Sequence, residues 1–184
     1  REDKIFCYPM KGTIDASIPD AAEQIMHDQK EVSEHVTIVD LIRNDLSLVS
    51  SAVSVTRFRY VDEIRTDSKT LLQVSSEIVG NLEGNYFSCL GDILVKLLPA
   101  GSVSGAPKPK TLEIIRSSEG GERGYYTGVF GVFDGNTLDS GVMIRFIEQE
   151  NGKLYYRSGG GITTQSVVSS EYQEVIDKVY VPLT

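Results

Sequence analysis

Long apolar runs are missing from this sequence: no stretch of about 18 consecutive apolar residues occurs, so no membrane-spanning helix is expected. A signal peptide is missing too, because the opening Arg1-Glu2-Asp3-Lys4 is charged and no apolar stretch follows. Cysteine is scarce. Cys7 and Cys89 form no Cys-x-x-Cys or Cys/His spacing, so neither a disulfide framework nor a zinc site is expected. Both read as small core residues, and a reducing cytoplasm is the expected compartment. Positive charge is in deficit, with 18 Lys and Arg against 26 Asp and Glu and a net charge of −8. Nucleic-acid affinity rests on cations that neutralise phosphates, so no nucleic-acid partner is expected. An anionic small molecule would need a local cluster of cations. Internal repeats and low-complexity segments are also absent. Arg1 stands where a start Met would be, which points to a processed chain or a piece of a longer one.

What remains is one domain's length, 184 residues with 40% apolar content, over which short strands and helices interleave. Ile5–Tyr8 reads as a strand that Pro9 ends, leaving Lys11 in a loop. Pro19 and Asp20 open a helical pattern carried by Ala22, Ile25, Met26, Val32, Val36, Val39 and Ile42 over two consecutive helices. Ser54–Glu63 and the alternating Leu72–Ile78 read as strands. Tyr86–Leu98 is helical up to Pro99. A glycine-rich loop, Gly101–Pro107, feeds a helix to Ser117. Tyr125–Phe133 and Leu138–Glu148 are strands joined at Asp134-Gly135-Asn136. Leu154–Arg157 is a strand closed by Gly159-Gly160-Gly161, and Val168–Val179 is a final helix. Hairpins among helices predict an α+β fold with mainly antiparallel sheets.

The chemistry-bearing residues are ambiguous one at a time. Glu171, Glu174 and Lys178 share a helix face; this is either a solvated face with a Glu174–Lys178 pair or part of a site. Glu31 and Glu34 form a second acidic pair, and two such pairs could supply the oxygen ligands of magnesium. His35 is expected to be structural. Arg145, in a strand expected to be buried, calls for a carboxylate from the protein or from a ligand. Tyr126 is a hydrogen-bond donor or a core residue. The loop from Gly101 to Pro107 resembles an anion cradle without the lysine of a P-loop. Lys108 and Lys110 after it could be plain surface residues. Lys11 is either a solvent-facing lysine or a nucleophile, and a nucleophile must be a neutral amine.

Taken in order, the segments resemble the chorismate-utilising enzymes, which include anthranilate, aminodeoxychorismate, isochorismate and salicylate synthases. The resemblance lies in Pro9-Met10-Lys11-Gly12-Thr13, in Lys30-Glu31-Val32-Ser33-Glu34-His35 with Ile38-Val39-Asp40-Leu41-Ile42-Arg43-Asn44-Asp45-Leu46, and in Gly101-Ser102-Val103-Ser104-Gly105-Ala106-Pro107-Lys108. It continues through Arg123-Gly124-Tyr125-Tyr126-Thr127-Gly128, Ile144-Arg145, Gly159-Gly160-Gly161-Ile162, Ser166, Glu171-Tyr172-Gln173-Glu174 and Lys178. It implies an incomplete piece of the family's β/α/α/β sandwich, a single chorismate-binding catalytic domain over residues 1–184 that lacks its N-terminal part. It implies Mg2+ held directly by Glu34 and Glu174, with Glu31 and Glu171 on metal-bound waters. Substrate contacts fall to Gly12, Thr13, Ser102, Tyr126, Arg145, Gly159, Gly160, Gly161 and Lys178.

The resemblance also implies a reaction. Lys11 stands where most branches have Ala and where the aminodeoxychorismate branch has the proposed catalytic lysine. The implied activity is amination of chorismate to 4-amino-4-deoxychorismate for 4-aminobenzoate and folate synthesis, with ammonia from a glutamine amidotransferase (glutaminase) subunit. Anthranilate synthesis, another chorismate reaction, or an inactive fragment are the alternatives. Two departures stand out. Gln73 replaces a common His, and the family's proposed general-acid Glu belongs to the part before Arg1. Exposed edges of a partial fold would favour homo-oligomers.

Overall fold

The computed structural model describes residues 3–66, 69–164 and 166–179. The chain divides into two compact units, Arg1–Ser117 and Ser118–Thr184.

The first unit is built on strand β4 (Thr70–Asn81). Along one edge it pairs antiparallel with β1 (Lys4–Cys7) and then β2 (Met10–Asp15); along the other it pairs with β3 (Ser51–Arg65). The strand predicted over Leu72–Ile78 forms, but its burial does not alternate strictly. Val74, Ser76 and Ile78 are completely or almost completely buried. The opposite face is not wholly wet, because Ser75 and Val79 are buried as well.

Helices α1 (Ala21–His27) and α2 (Gln29–Leu46) pack on this sheet. They are separate, as the sequence predicts, because Asp28 is extended (φ −62°, ψ 115°). Its carboxylate accepts the Glu31 N–H at 2.9 Å, which caps α2 and fixes Glu31 in its first turn. His35, Val39, Ile42 and Leu46 recur at helical spacing and form the buried stripe of α2. Val39, Ile42 and Leu46 close on Ile78, with Ile5, Cys7, Val53, Val55 and Leu97 around them. Each such aliphatic side chain stabilises the unit by roughly 1.5–3 kcal/mol before entropy is subtracted. Burial pushes the Cys7 thiol up to about 11, so it is an inert core thiol, as expected.

The segment Tyr86–Ser104 is predominantly apolar. It is not one continuous rod: a 3-10 turn (Tyr86–Cys89) leads into α3 (Leu90–Leu97), and Pro99 separates this from α4 (Gly101–Ser104). The expected loop from Gly101 to Pro107 is therefore corrected in part, since its first four residues form a helical turn. Gly105 (φ +89°) then redirects the chain into α5 (Lys108–Glu119).

The second unit contains two hairpins. β5 (Val129–Phe133) pairs with β6 (Leu138–Val142), and β7 (Phe146–Glu150) with β8 (Lys153–Arg157). The Asp134 turn forms as predicted. Its carboxylate accepts N–H groups of Asn136 and Thr137, which hold its pKa down to about 2. Both long strands expected here are shorter. Tyr125–Gly128 is a turn, so Tyr126 precedes β5 instead of lying within it. Arg145 lies between β6 and β7 with φ +53°, and it is exposed rather than buried. Helix α6 (Val168–Asp177) closes the unit. All strand pairs are antiparallel, as expected of the α+β class.

Candidate active site

Lys11 does not sit in a loop. It lies on β2, where the pairing with β4 slips: Met10 faces Ser75 and Thr13 faces Gln73, so Lys11 and Gly12 together oppose Val74. One extra residue on one strand is a β-bulge, which bends the strand and re-aims its side chains. Gly12 makes the bulge possible. Its φ is +91°, and an added Cβ would lie 3.1 Å from the Glu31 carboxylate and 3.4 Å from Ile25. The bulge brings Lys11 Nζ onto Glu34 Oε2 in an ion pair, and Lys30 reaches the other Glu34 oxygen at 4.0 Å. Lys11 is 44% exposed and the Glu34 side chain 25%. Lys11, Gly12, Glu31 and Glu34 therefore form one cluster at the start of α2, and Thr13 follows on the same strand.

Glu31 is under electrostatic load. Its carboxyl is raised above the ordinary value, first by burial and then by the charge of Glu34; Lys11 acts in the opposite direction. A raised carboxyl takes up a proton on folding, so the protein loses stability as pH climbs upward from about 4.5, the ordinary value. Glu31→Gln lacks that penalty. The variant is expected to melt above the wild type at pH 7 without divalent metal, and the gap should close below pH 4.5. Melting curves at the two pH values check this.

Ser102 is exposed on α4, and the turn that carries it is tied down from below. Lys108 Nζ donates to both Asp45 oxygens at 2.9 Å, with only 20% and 10% of the two side chains exposed. Gly101 packs so closely that a Cβ there would lie 2.8 Å from Leu41 and 2.9 Å from Asp45. Lys108 is therefore a half-buried anchor and not a plain surface lysine. The sequence held a signal for it. Asp45 falls beside Ile42 and Leu46 on the buried stripe of α2, and a buried carboxylate needs a cation. Lys110 is the surface residue, paired with Glu113 at 2.9 Å.

In the second unit the glycine run gathers most of the expected residues. A Cβ on Gly159 would collide with the Tyr126 hydroxyl, so glycine lets that hydroxyl lie against the backbone. Burial raises the Tyr126 pKa above its ordinary value. Arg123 lies over its ring at 5.6 Å. Lys178 pairs with Glu174, as its spacing predicts, and approaches the Gly159 carbonyl at 3.4 Å. Glu171 accepts a hydrogen bond from Ser166 at 2.6 Å, and its other oxygen lies 3.7 Å from where a Gly160 Cβ would be. Gly161 is exposed with open space beside it. Arg145 forms no ion pair among the described residues, which removes the protein carboxylate expected beside it.

Among the described residues, no three His, Cys, Asp or Glu side chains are gathered as a metal centre. The donor chemistry nevertheless fits magnesium. Each unit offers two carboxylates at i,i+3 on a helix, and the Glu31–Glu34 pair carries a repulsion that a hard dication would relieve. Magnesium is commonly held by one or two carboxylates, with waters and substrate oxygens completing the shell.

The sequence profile of the chorismate binding enzymes matches residues 1–184, and the chain belongs to that family. It is 56% identical over 182 residues to a PabA-like protein of Haemophilus influenzae, covering 99% of this chain and 56% of that protein. It is 39% identical over 158 residues to anthranilate synthase component 1 of Archaeoglobus fulgidus (86% and 37% covered) and 36% over 162 residues to aminodeoxychorismate synthase component 1 of Bacillus subtilis (86% and 33%). The chain thus spans little more than half the length of the first of these relatives and about a third of the others. The menaquinone-specific isochorismate synthase of Escherichia coli superposes with a TM-score of 0.79 at 20% identity, covering 97% of this chain and 41% of that one. That likeness establishes the expected fold and the partial share of it present.

Proposed function

We propose that this chain is the catalytic part of an aminodeoxychorismate synthase component 1, which replaces the C4 hydroxyl of chorismate by an amino group. The observation that carries the reading is Lys11, presented on a β-bulge beside Glu31 and Glu34. A strand-borne lysine aimed at a carboxylate pair has the attributes of a placed nucleophile: a fixed backbone, a proton acceptor in contact, and partial access. In the reaction, the neutral amine forms a bond to C2 of the ring while the C4–O bond breaks and the hydroxyl leaves with a proton as water. Ammonia then bonds to C4, the C2–N bond breaks, and Lys11 returns as an amine. The sum is chorismate plus ammonia giving 4-amino-4-deoxychorismate plus water.

Glu34 Oε2 touches Lys11 Nζ and is placed to hold the lysine's proton. Tyr126 and Arg145 are the groups for the enolpyruvyl carboxylate, with the Gly161 backbone beside them, and Lys178 serves the ring carboxylate. Gly12, Thr13 and Ser102 are the further substrate-contact positions of this reading. Glu34 and Glu31 in the first unit, and Glu174 and Glu171 in the second, are the carboxylates assigned to magnesium, the first of each pair as ligand and the second as holder of metal-bound water; the ion would supply the positive charge that a dianionic substrate needs in an acidic protein. The ammonia source is a glutaminase partner, and the compartment is the cytoplasm.

The test is product analysis by the full-length protein with chorismate, magnesium and ammonia. The expected product is 4-amino-4-deoxychorismate with the enolpyruvyl group retained. Fluorescent anthranilate with release of pyruvate would overturn the reading in favour of the second one, anthranilate synthesis, which the 39% identity to the Archaeoglobus enzyme supports. Glu34→Gln is expected to shift the magnesium titration upward at least tenfold; an unchanged titration would contradict its ligand role.

A further inference from the structure

Arg123 stands three residues before Tyr126, and no role in the proposed reaction falls to it. Its guanidinium is engaged on three sides. Nε and Nη2 donate to the two carboxylate oxygens of Glu119, the last residue of α5, at 2.8 and 2.6 Å. Nη1 donates to the Thr127 hydroxyl at 3.2 Å. The cation lies over the Tyr126 ring, 5.6 Å from its centre. The backbone joins in, because the Arg123 carbonyl accepts the Tyr126 N–H at 2.9 Å. One residue therefore grips both Tyr126 and the residue after it. Only 24% of its side chain is exposed, and Arg123 and Tyr126 line one cleft with Arg157 and Ser158.

The residue that Arg123 holds is strained. Thr127 has φ +66°, in the left-handed region that a β-branched side chain adopts rarely and at a cost. It is buried nonetheless. Glycine adopts such a backbone freely, as Gly124 (φ +57°) does in the same turn. What glycine lacks is the hydroxyl that accepts from Arg123. The backbone secures Thr127 from its other side. Its N–H donates to the Met143 carbonyl at 2.9 Å, and the Met143 N–H donates to the Gly128 carbonyl at 2.8 Å. These bonds continue the β5–β6 ladder past the Val129–Val142 pair, towards Arg145 two residues beyond Met143. Strain of this kind persists only where the surroundings over-determine it, and it collects at functional sites.

We propose that Arg123 is a positioning residue: anchored on Glu119 and holding the Thr127 hydroxyl, it locks the strained turn that presents the Tyr126 hydroxyl to a substrate carboxylate. The proposal deepens the reading of Tyr126 as a group for the enolpyruvyl carboxylate and rests on it. It accounts for the choice of arginine. A pair with Glu119 alone would be served by lysine, whereas the planar fork reaches Glu119 and Thr127 together. Arg123 acts on the substrate only through Tyr126.

Three variants separate positioning from stability. Thr127→Val keeps shape and charge and removes only the acceptor hydroxyl. Arg123→Gln removes the fork. Tyr126→Phe removes the hydroxyl that is positioned. In the full-length protein, tyrosines are replaced by 3-fluorotyrosine, and the Tyr126 19F resonance is identified by its loss in Tyr126→Phe. Thr127→Val and Arg123→Gln are each expected to move it towards the resonances of exposed tyrosines. On unlabelled enzyme, Arg123→Gln should raise KM for chorismate roughly tenfold, the scale of a lost hydrogen bond to a charged group, with kcat within about twofold. Thr127→Val should raise KM in the same direction. In the Tyr126→Phe background, Arg123→Gln should change KM by less than about twofold, because the hydroxyl it positions is gone.

An unmoved Tyr126 resonance in both variants would overturn the proposal, even with a lower melting temperature, since that is the mark of a merely structural ion pair. So would a KM effect of Arg123→Gln that persists at full size in Tyr126→Phe, which would make Arg123 a direct substrate contact. If Arg123→Gln fails to fold, Thr127→Val decides by the same two readouts. The resonance needs no turnover. A displaced resonance, in a protein whose KM is indifferent to Tyr126→Phe, would keep the locked turn and discard Tyr126 as a carboxylate group. A Tyr126-dependent KM with a resonance indifferent to Arg123 and Thr127 would do the reverse.

Discussion

Lys11→Ala is expected to abolish formation of 4-amino-4-deoxychorismate, with a loss on the order of 10³-fold or more in kcat. The substitution removes the atom that bonds to the ring, so no neighbouring group can take over its step. Chorismate binding should survive, because the groups proposed to bind its carboxylates, Tyr126, Arg145 and Lys178, lie elsewhere in the sequence. Stability should change little. The Lys11–Glu34 pair is half exposed, and such pairs contribute about 0–1 kcal/mol. The expected signature is therefore a collapse of kcat with KM and the melting temperature nearly unchanged. Retained turnover would remove Lys11 from the mechanism.

The second large effect concerns stability. Asp45→Ala is expected to destabilise the protein by about 3 kcal/mol, because it leaves the Lys108 ammonium in a mostly buried position without its carboxylate. Lys108→Met should cost about as much, since it leaves the more deeply buried Asp45 carboxylate without its cation. The double variant Asp45→Leu with Lys108→Met should recover most of the loss, because an apolar pair of similar volume avoids desolvation of two charges. Urea unfolding of the wild type and the three variants checks this. If Asp45→Ala were neutral, the Lys108 anchor would be ornamental. The turn that carries Ser102 would then owe its place to Gly101 packing on Leu41.

The elements themselves were legible in the sequence wherever one periodicity ruled. The α2 stripe of Val39, Ile42 and Leu46 and the strand from Val74 to Ile78 are read directly, because a face of each meets the core. The reading failed where a local backbone feature cut across the pattern. Lys11 looked like a loop residue because Pro9 and Gly12 flank it, yet Pro9 closes β1 and Gly12 enables a bulge that keeps Lys11 on a strand. Arg145 looked buried because Val142, Met143 and Ile144 precede it. Instead β6 ends at Val142, and Arg145, with positive φ, lies exposed between β6 and β7. Tyr126 looked like part of β5 because aromatic residues favour strands, whereas the turn to Gly128 places it before that strand.

The site was legible as a set of residue types before its geometry was. Glu31 and Glu34 were readable as a pair from their spacing, and Glu174 with Lys178 likewise. The partnerships between distant segments were not. Nothing in the chain order joins Asp45 to Lys108, Lys11 to Glu34, or His35 to Ser76, whose side chains meet at 2.7 Å. Each arises because the sheet and α2 bring segments far apart in sequence to one surface, and a buried polar group then takes the partner that the fold offers.

The most direct measurement of the central claim is the mass of the protein during turnover without ammonia. With chorismate and magnesium present and no ammonia to complete the exchange, the C2–N bond has no second nucleophile to displace it. Intact-protein mass spectrometry should then show an increment equal to chorismate less one water, and peptide mapping should place it on Lys11. Added ammonia should remove it with release of 4-amino-4-deoxychorismate. Product formation at full rate with no increment, or with the increment on another residue, would contradict the account.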